Sequence, residues 1–366
     1  MSSTPTNGTA IDLAGLSIGR GFRPERPPAL VDGERRAVKY LRLSVTDRCN
    51  FRCRYCMPDE GVAFEPRAAV LEFEEIVRVV RAFTRLGITR VRLTGGEPLL
   101  RRDFVDLTRM IAAVPGVEDL SLSTNGFLLP PIARELRDAG LRRVNISLDT
   151  LDPGRFRDLT RYGSVERVLE AVDAANDAGL GPVKLNAVVI RGYNDDELSA
   201  LVRYAHAKRA LLRFIEFMPI GVDGFWSDRT FMSVDDMMAR LADDFIVHPL
   251  RGFAHEAGVV GGGPARYGLL TPRGGGEPVE VGFITAVSQS FCSTCNRVRV
   301  TATGGLQECL AYPGQLSLRD IMRQGGSDDD VTAAIERALF QKGPGHQFDP
   351  RGGGVRTCQT MSVTGG

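Results

Sequence analysis

The chain has 366 residues, 43% of them hydrophobic, so it can bury the core of one large domain or of one domain with an appendage. Its formal net charge of +1 creates no global field that would attract nucleic acid or an anionic membrane. No run approaches the roughly 18–20 apolar residues that span a bilayer, and residues 1–30 lack the apolar core of a signal peptide. We therefore expect a soluble, cytoplasmic protein.

From residue 40 to about residue 250, predicted strands alternate with predicted helices. The strands are expected at residues 40–47, 89–94, 120–123, 143–148, 183–190 and 212–217. The helices are expected at residues 72–86, 104–114, 131–139, 165–178, 195–207 and 234–241. Right-handed crossovers make such strands parallel, and six βα units fall short of the eight that close a barrel. The sequence therefore predicts an α/β fold, an incomplete parallel (β/α)6 barrel with a lateral mouth.

Beyond residue 250 the pattern changes. A glycine-rich loop is expected at residues 252–264, followed by strands at residues 268–270 and 279–284. Residues 297–301 and 306–310 flank Gly304-Gly305, which predicts a hairpin, and helices are expected near residues 318–322 and 331–339. We divide the chain into a flexible extension (1–37), the partial barrel (38–250), a C-terminal cap region (251–345) and a glycine-rich tail (346–366).

Six of the seven cysteines fall into two sets of three. The sets are Cys49, Cys53 and Cys56, and Cys292, Cys295 and Cys309. Clustered cysteines in a reducing compartment are more often metal ligands than disulfides, and thiolates suit both zinc and iron–sulfur clusters. A closed zinc site needs four protein ligands, and the first set has no fourth Cys or His nearby. Cys358 would complete a zinc site with the second set, so zinc stays open there.

The first set lies in the segment CNFRCRYCMP, residues 49–58, which resembles the signature of the radical S-adenosylmethionine (SAM) superfamily. That resemblance implies a [4Fe–4S] cluster on three cysteines, whose open iron binds SAM and cleaves it reductively to a 5′-deoxyadenosyl radical. The segment GGEP at residues 95–98 resembles the superfamily's SAM-binding strand, although alone it fits an ordinary βα turn equally well. The resemblance assigns SAM contacts to Tyr55, Gly96, Ser147 and Met218. Taken alone, Met218 fits a core position and Ser147 a turn.

The second set lies in the segment SFCSTCNRVR, residues 290–299, which closely resembles the GTP 3′,8-cyclases that begin molybdenum cofactor biosynthesis. The resemblance extends over residues 38–310 and includes a terminal Gly-Gly. It implies a second [4Fe–4S] cluster that binds the purine of GTP, and abstraction of H3′ to form (8S)-3′,8-cyclo-7,8-dihydroguanosine 5′-triphosphate. It also implies a homodimer, an electron donor such as flavodoxin or ferredoxin, and a cyclic pyranopterin monophosphate synthase that receives the product.

A triphosphate requires cations, and guanidinium forks match phosphate oxygens. Arg297 and Arg299 are two residues apart and so share one face of a strand, while Arg42 faces away from Leu41 and Leu43. The family resemblance assigns GTP contacts to Arg42, Arg92, Ser123, Lys184, Arg297, Val298 and Arg299. It assigns catalytic roles to Arg42, Arg297, Arg299, Gly365 and Gly366.

The basic residues are strongly biased to arginine, so a lysine carries more information. The four lysines are Lys39, Lys184, Lys208 and Lys342. Arg213 is a weaker substrate-binding candidate, and a solvated arginine is an alternative interpretation of Arg92. The four histidines, His206, His248, His255 and His346, share no metal spacing and are interpreted as structural or surface residues.

Two alternatives stand beside this hypothesis. A peptide-modifying radical SAM maturase would also carry two clusters, but its tail would contain more cysteines than the single Cys358. A zinc-stabilised nucleic-acid-binding module would need a basic patch, which the charge balance disfavours. The terminal Gly365-Gly366 is narrow enough to enter a crowded cavity, although glycine-rich chain ends are more often solvated.

Overall fold

The computed structural model describes residues 30–221, 224–251, 263–314 and 316–349. Within these ranges, twelve strands form one sheet. The strands are β1 (Tyr40–Ser44), β2 (Arg90–Thr94), β3 (Asp119–Thr124), β4 (Arg143–Ser147), β5 (Lys184–Val189), β6 (Leu211–Glu216), β7 (Phe245–Val247), β8 (Arg266–Pro272), β9 (Val279–Ile284), β10 (Arg297–Val300), β11 (Gly305–Gln307) and β12 (Leu316–Ser317).

The helices of the described residues follow the strands along the chain. They are α1 (Phe73–Arg85), α2 (Phe104–Ala112), α3 (Ala133–Asp138), α4 (Pro153–Thr160), α5 (Val165–Asp177), α6 (Leu198–Ala207), α7 (Val234–Leu241), α8 (Leu318–Arg323) and α9 (Asp328–Phe340). No helix in this part of the chain is both long and apolar enough to cross a membrane.

The sheet is open, and its centre consists of β1 to β6 in sequence order, all parallel. β10 pairs in parallel with the free edge of β1, and β9 pairs in parallel with β6. Antiparallel strands complete both sides, β11 and β12 beyond β10, and β8 and β7 beyond β9. The predicted incomplete (β/α)6 barrel is confirmed. Its open edges are extended by strands from the C-terminal third of the chain.

Apolar and polar side chains alternate along the strands, so one face of the sheet is covered by helices and the other face is polar. Leu41 and Leu43 of β1 are fully buried against the helices, as are Val91 and Leu93 of β2. α1 contributes an apolar stripe that includes Ile76, Val79, Val80 and Phe83, all fully buried. Each such side chain contributes roughly 1.5–3 kcal/mol on removal from water. The helices therefore leave only the opposite face of the sheet for a ligand.

The polar face runs continuously across neighbouring strands because their registers align. Arg42 of β1 pairs directly with Arg92 of β2 on one side and with Arg299 of β10 on the other. Farther along the sheet, Asn186 of β5 pairs with Arg213 of β6. Each β-strand places alternate side chains on one face, so these cations share the inner wall of the partial barrel.

The structure differs from the sequence prediction in several local features, and strands β7 and β12 were not predicted. α4 (Pro153–Thr160) was not predicted, although Asp152 caps it through the Arg155 amide and Pro153 stands in its first turn, which is a normal start signal. The helix predicted at residues 131–139 is α-helical only from Ala133, because Pro130 and Pro131 form a 3₁₀ turn before it. The predicted hairpin at Gly304 is confirmed as β10–β11, with Val300 opposite Leu306.

Gly95 and Gly96 follow β2 directly, and the segment before the first cysteine set crosses over them. A Cβ atom at Gly95 would lie 2.6 Å from the Thr46 carbonyl oxygen, and one at Gly96 would meet the Arg48 carbonyl oxygen. Arg48 immediately precedes Cys49. The two glycines thus permit a close backbone approach that positions the cysteine loop.

We expect Gly96→Ala to displace residues 46–48 and to lower the free energy of unfolding by about 1–3 kcal/mol, because the added methyl group has no space. Gly274→Ala is the matched control, since its Cβ would have no atom within 4 Å, and it should change stability by less than about 0.5 kcal/mol. Denaturant unfolding of the cluster-free proteins measures the change in the free energy of unfolding for both variants. Equal stability losses in the two variants would contradict this interpretation.

Candidate active site

One cavity of about 310 Å³ lies along the polar face of the sheet. It is lined by all six cysteines of the two sets, Cys49, Cys53, Cys56, Cys292, Cys295 and Cys309. The first set follows the carboxyl end of β1, the usual active-site end of a parallel barrel. The second set adjoins the amino end of the same strand, since Tyr40 donates its amide to the Asn296 carbonyl. The two sets therefore stand at opposite ends of the cavity.

The first cysteine loop is held by α4. The amides of Arg52 and Arg54 donate to the Thr160 and Leu159 carbonyls at the end of that helix, at 3.0 and 2.9 Å. Phe51 also packs edge-on against Phe156 of α4. Burial raises the pKa of Cys49 to about 11 and that of Cys53 well above its ordinary value. These thiols need a metal before they become thiolates at neutral pH.

The second set has a more electropositive environment. Burial alone would raise the pKa of Cys295, but Arg297 and Lys342 lower it to about 6. For Cys292 burial again opposes ionisation, while the neighbouring His346 and Ser290 lower the pKa to about 7. Cys309 differs in that its pKa is raised overall, because burial outweighs the neighbouring groups that lower it. Two of the three sulfurs are thus prepared as thiolate ligands before any cluster binds.

The donors fit two iron–sulfur clusters. All six cysteines are free thiols, and each is half-buried at the cavity wall. Among residues 30–221, 224–251, 263–314 and 316–349, no three His, Cys, Asp or Glu side chains converge closely enough to hold a single metal ion. Three thiolate ligands in each set suit a four-iron cluster with one open iron. Cys358, the possible fourth zinc ligand, lies outside the described residues.

The predicted SAM-binding residues lie together at the carboxyl ends of the strands. Tyr55, Gly96, Ser147 and Met218 all line the cavity near the first set. Tyr55 donates its hydroxyl to Asp149 at 2.7 Å, and burial raises the pKa of that carboxyl group to about 6. Asp149 was not predicted, although its position directly after the fourth predicted strand could have indicated it.

Most predicted GTP-binding residues line the wall between the two cysteine sets. Arg42, Arg92, Ser123, Arg297 and Arg299 all do so. Two residues do not. Lys184 is buried at the amino end of β5, outside the cavity lining, and Val298 is fully buried on the opposite face of β10.

The inner wall concentrates positive charge in a buried place. Burial lowers the pKa of Arg42 well below its ordinary value, and the neighbouring Arg299 and Arg92 lower it further. Burial likewise lowers the pKa of Arg299 and of Arg213 to about 10 each. Such like-charged groups repel one another at short range, so an anion between them is strongly favoured.

Two buried hydroxyl groups also point to a polar ligand. Within the described residues, neither Ser123 Oγ nor the Tyr40 hydroxyl has a hydrogen-bond partner, and both residues line the cavity. Buried polar atoms are normally satisfied, so these two indicate groups that a substrate would supply. Arg213, the weaker prediction, lines the same wall and donates to Asn145 and Asn186 at 2.9 and 3.0 Å.

Other predictions are placed differently or not at all. His346 lines the cavity beside Cys292, which sequence spacing could not show because 54 residues separate the two. His206 is exposed on α6, and His248 contacts Thr271 near the surface, as expected for surface residues. Gly365, Gly366 and His255 lie outside the described residues.

Comparison with known proteins gives matches to this arrangement in sequence and in fold. Residues 43–205 match the family model of the Radical SAM superfamily, and residues 210–348 match that of Molybdenum Cofactor Synthesis C. The chain is 42% identical to GTP 3′,8-cyclase of Pelotomaculum thermopropionicum, over 92% of this chain and 99% of that protein. It is 45% identical to GTP 3′,8-cyclase of Pseudomonas entomophila, over 93% and 99%.

Among solved structures, Streptococcus suis SuiB is similar in fold, with a TM-score of 0.54, 14% sequence identity, and coverage of 88% of this chain and 77% of that one. The open parallel sheet and the thiols at its rim define a radical SAM enzyme. More narrowly, the chain belongs to the GTP 3′,8-cyclase family. The resemblance of residues 49–58 and 290–299 is thereby confirmed.

The unequal pKa values predict an order of thiol reactivity. At pH 7, iodoacetamide should alkylate Cys292 and Cys295 of the reduced, cluster-free protein before Cys49 and Cys53, because only the thiolate reacts. A shift from pH 7 to pH 5 crosses the Cys295 pKa of about 6 and should slow its labelling roughly tenfold. Peptide mass spectrometry gives the rates. Faster labelling of the first set at pH 7 would refute this order.

Proposed function

We propose that the protein converts GTP to (8S)-3′,8-cyclo-7,8-dihydroguanosine 5′-triphosphate, the first step of molybdenum cofactor biosynthesis. The observation that carries this proposal is the single cavity that extends from one cysteine set to the other along the arginine-lined wall. Membership of the GTP 3′,8-cyclase family supplies the substrate and the product.

The first set of cysteines would hold one cluster, and the second set the other. When bound, the clusters and SAM supply one-electron reduction and a hydrogen-abstracting carbon radical. Gly96, which lines the cavity directly after β2, and Tyr55, whose hydroxyl donates to Asp149, would contact SAM. Ser147 and Met218 complete that end of the cavity.

The arginines orient the substrate between the two ends. Arg42, Arg92 and Arg299 lie side by side on β1, β2 and β10, so their guanidinium groups can bind successive phosphate oxygens. Arg297 stacks on the Phe291 ring, with the guanidinium carbon 4.7 Å from the ring centroid, which directs it towards the second set. A triphosphate held on this wall leaves the purine free to reach the second set and the ribose free to face the first.

Apolar residues close the second end of the cavity to water. Phe291, Leu310 and Phe348 line it and belong to one hydrophobic cluster, in which Phe348 is buried. Exclusion of water protects a reactive radical from side reactions and strengthens the phosphate contacts. The chain thus supplies binding, orientation and shielding, which are the protein's share of cofactor chemistry.

The resemblance to the family supports four further parts of the proposal. These are a homodimer, an electron donor of the flavodoxin or ferredoxin type, a downstream cyclic pyranopterin monophosphate synthase, and a cytoplasmic location. We also propose, on the same ground, that Gly365 and Gly366 act in the site.

The two cysteine sets should be separable by mutation. Cys53→Ala should abolish all SAM cleavage, because the open iron that binds SAM is lost, whereas Cys295→Ala should retain uncoupled cleavage and lose the cyclised product. The seventh cysteine gives a matched control, since Cys358→Ala should retain both activities. Chromatography of 5′-deoxyadenosine and of the product from GTP measures the two activities. Normal cyclisation of GTP by Cys295→Ala would disprove the division of labour.

The arginines of the inner wall should contribute to ligand binding only when the ligand carries phosphates. Arg42→Ala or Arg299→Ala should weaken GTP binding roughly ten- to a hundred-fold, since a lost charge-assisted hydrogen bond costs about 1.5–3 kcal/mol. Arg134→Ala on the exposed side of α3 serves as a control and should change nothing. Equilibrium binding of GTP and of guanosine provides the comparison. If guanosine binding fell as much as GTP binding, the arginines would be structural.

A further inference from the structure

Lys342 is the buried cation immediately behind the second cysteine set. It is one of four lysines in the chain, follows α9, and is only 5% exposed. Its Nζ donates to the Arg297 carbonyl at 2.8 Å and lies 3.6 Å from Cys295 Sγ. A buried ammonium group is tolerated only with compensating partners, and here one of them is a predicted cluster ligand.

A buried carboxylate fixes this lysine. Asp32 Oδ2 lies 3.6 Å from Lys342 Nζ and 2.8 Å from Arg36 Nε, and the side chain of Asp32 is fully buried. Arg36 then donates to the carbonyls of Cys292 and Pro344, both at 2.9 Å, and to that of Gly343 at 2.8 Å. Asp32, Arg36 and Lys342 therefore form one network that contacts the loop of the second set at three points.

The network is anchored outside the barrel. The segment carrying Asp32 and Arg36 is closed by a bridge between Val31 and Ala37, and Gly33 donates its amide to the Leu339 carbonyl in the last turn of α9. A Cβ atom at Gly33 would meet the Phe340 carbonyl oxygen. The turn at residues 31–37 is thus pressed against the end of α9, directly before Lys342.

We propose that Lys342, held by Asp32 and Arg36, is a positioning residue that fixes Cys295 and sets the reduction potential of the C-terminal cluster. This inference rests on the second cluster of the proposed function. An ammonium group beside a ligand sulfur stabilises the more negative, reduced cluster, and a hydrogen bond to sulfur acts in the same direction. Asp32 carries the opposite charge, so its loss should act with the opposite sign.

The test is a redox titration, followed by electron paramagnetic resonance, of the full chain with both clusters reconstituted. Lys342→Met keeps the side-chain length but removes the charge. It should lower the midpoint potential of one cluster by at least about 59 mV, which is a tenfold change in a one-electron equilibrium. Lys342→Arg should stay close to wild type, and Asp32→Asn should raise the same potential. Lys208→Met, at a surface lysine paired with Asp173, should change nothing.

Unchanged potentials in Lys342→Met, or shifts of the same sign in Lys342→Met and Asp32→Asn, would overturn the proposal. If Lys342→Met fails to retain its iron, Asp32→Asn decides, with Lys342→Arg as the charge-conserving control: a potential that is unchanged or lowered in Asp32→Asn would overturn the proposal. The measurement needs no GTP turnover, so a wild-type protein that fails to cyclise GTP would refute the proposed function and leave this result readable.

Discussion

The parallel pairing of β10 with β1 is the constraint on which the rest of the site depends. Because Arg297–Val300 lies in register with Tyr40–Leu43, the second cysteine set meets the amino end of the strand whose carboxyl end leads to the first. The two sets are therefore separated by the length of one five-residue strand, which is roughly 16 Å. That spacing leaves room for the nucleotide of the proposed reaction between the two sets.

The same pairing creates the charged wall. Arg42 stands between Arg92 and Arg299, and burial together with mutual repulsion lowers the pKa of Arg42. This repulsion opposes folding of the empty protein and is relieved when an anion binds. Relief of this repulsion therefore adds to the binding free energy of an anionic ligand. A neutral analogue of the same shape would not gain it, because the charges of the site are fixed before the ligand arrives.

The sequence predicted the six βα units because each has a strong local period, and it predicted the cysteine ligands because their spacing is short. It could not predict which distant segments meet. The pairing of β10 with β1 joins residues about 250 positions apart, and no local pattern specifies that register. For the same reason His346 and the contact of Lys342 with Cys295 were not foreseen. Asp149 and α4 were missed despite local signals, which are the end of the fourth predicted strand and the start at Asp152-Pro153.

The strand order has a consequence for biosynthesis of the chain. Both edges of the six-stranded centre are covered by late strands, β9 beside β6 and β10 beside β1. Until β9 has left the ribosome, the nascent centre exposes two rows of unpaired backbone groups, and one row remains until β10 follows. Such rows are templates for intermolecular association. High contact order makes their closure slow. The protein should thus depend on chaperones during synthesis, and fragments that end before β9 should aggregate.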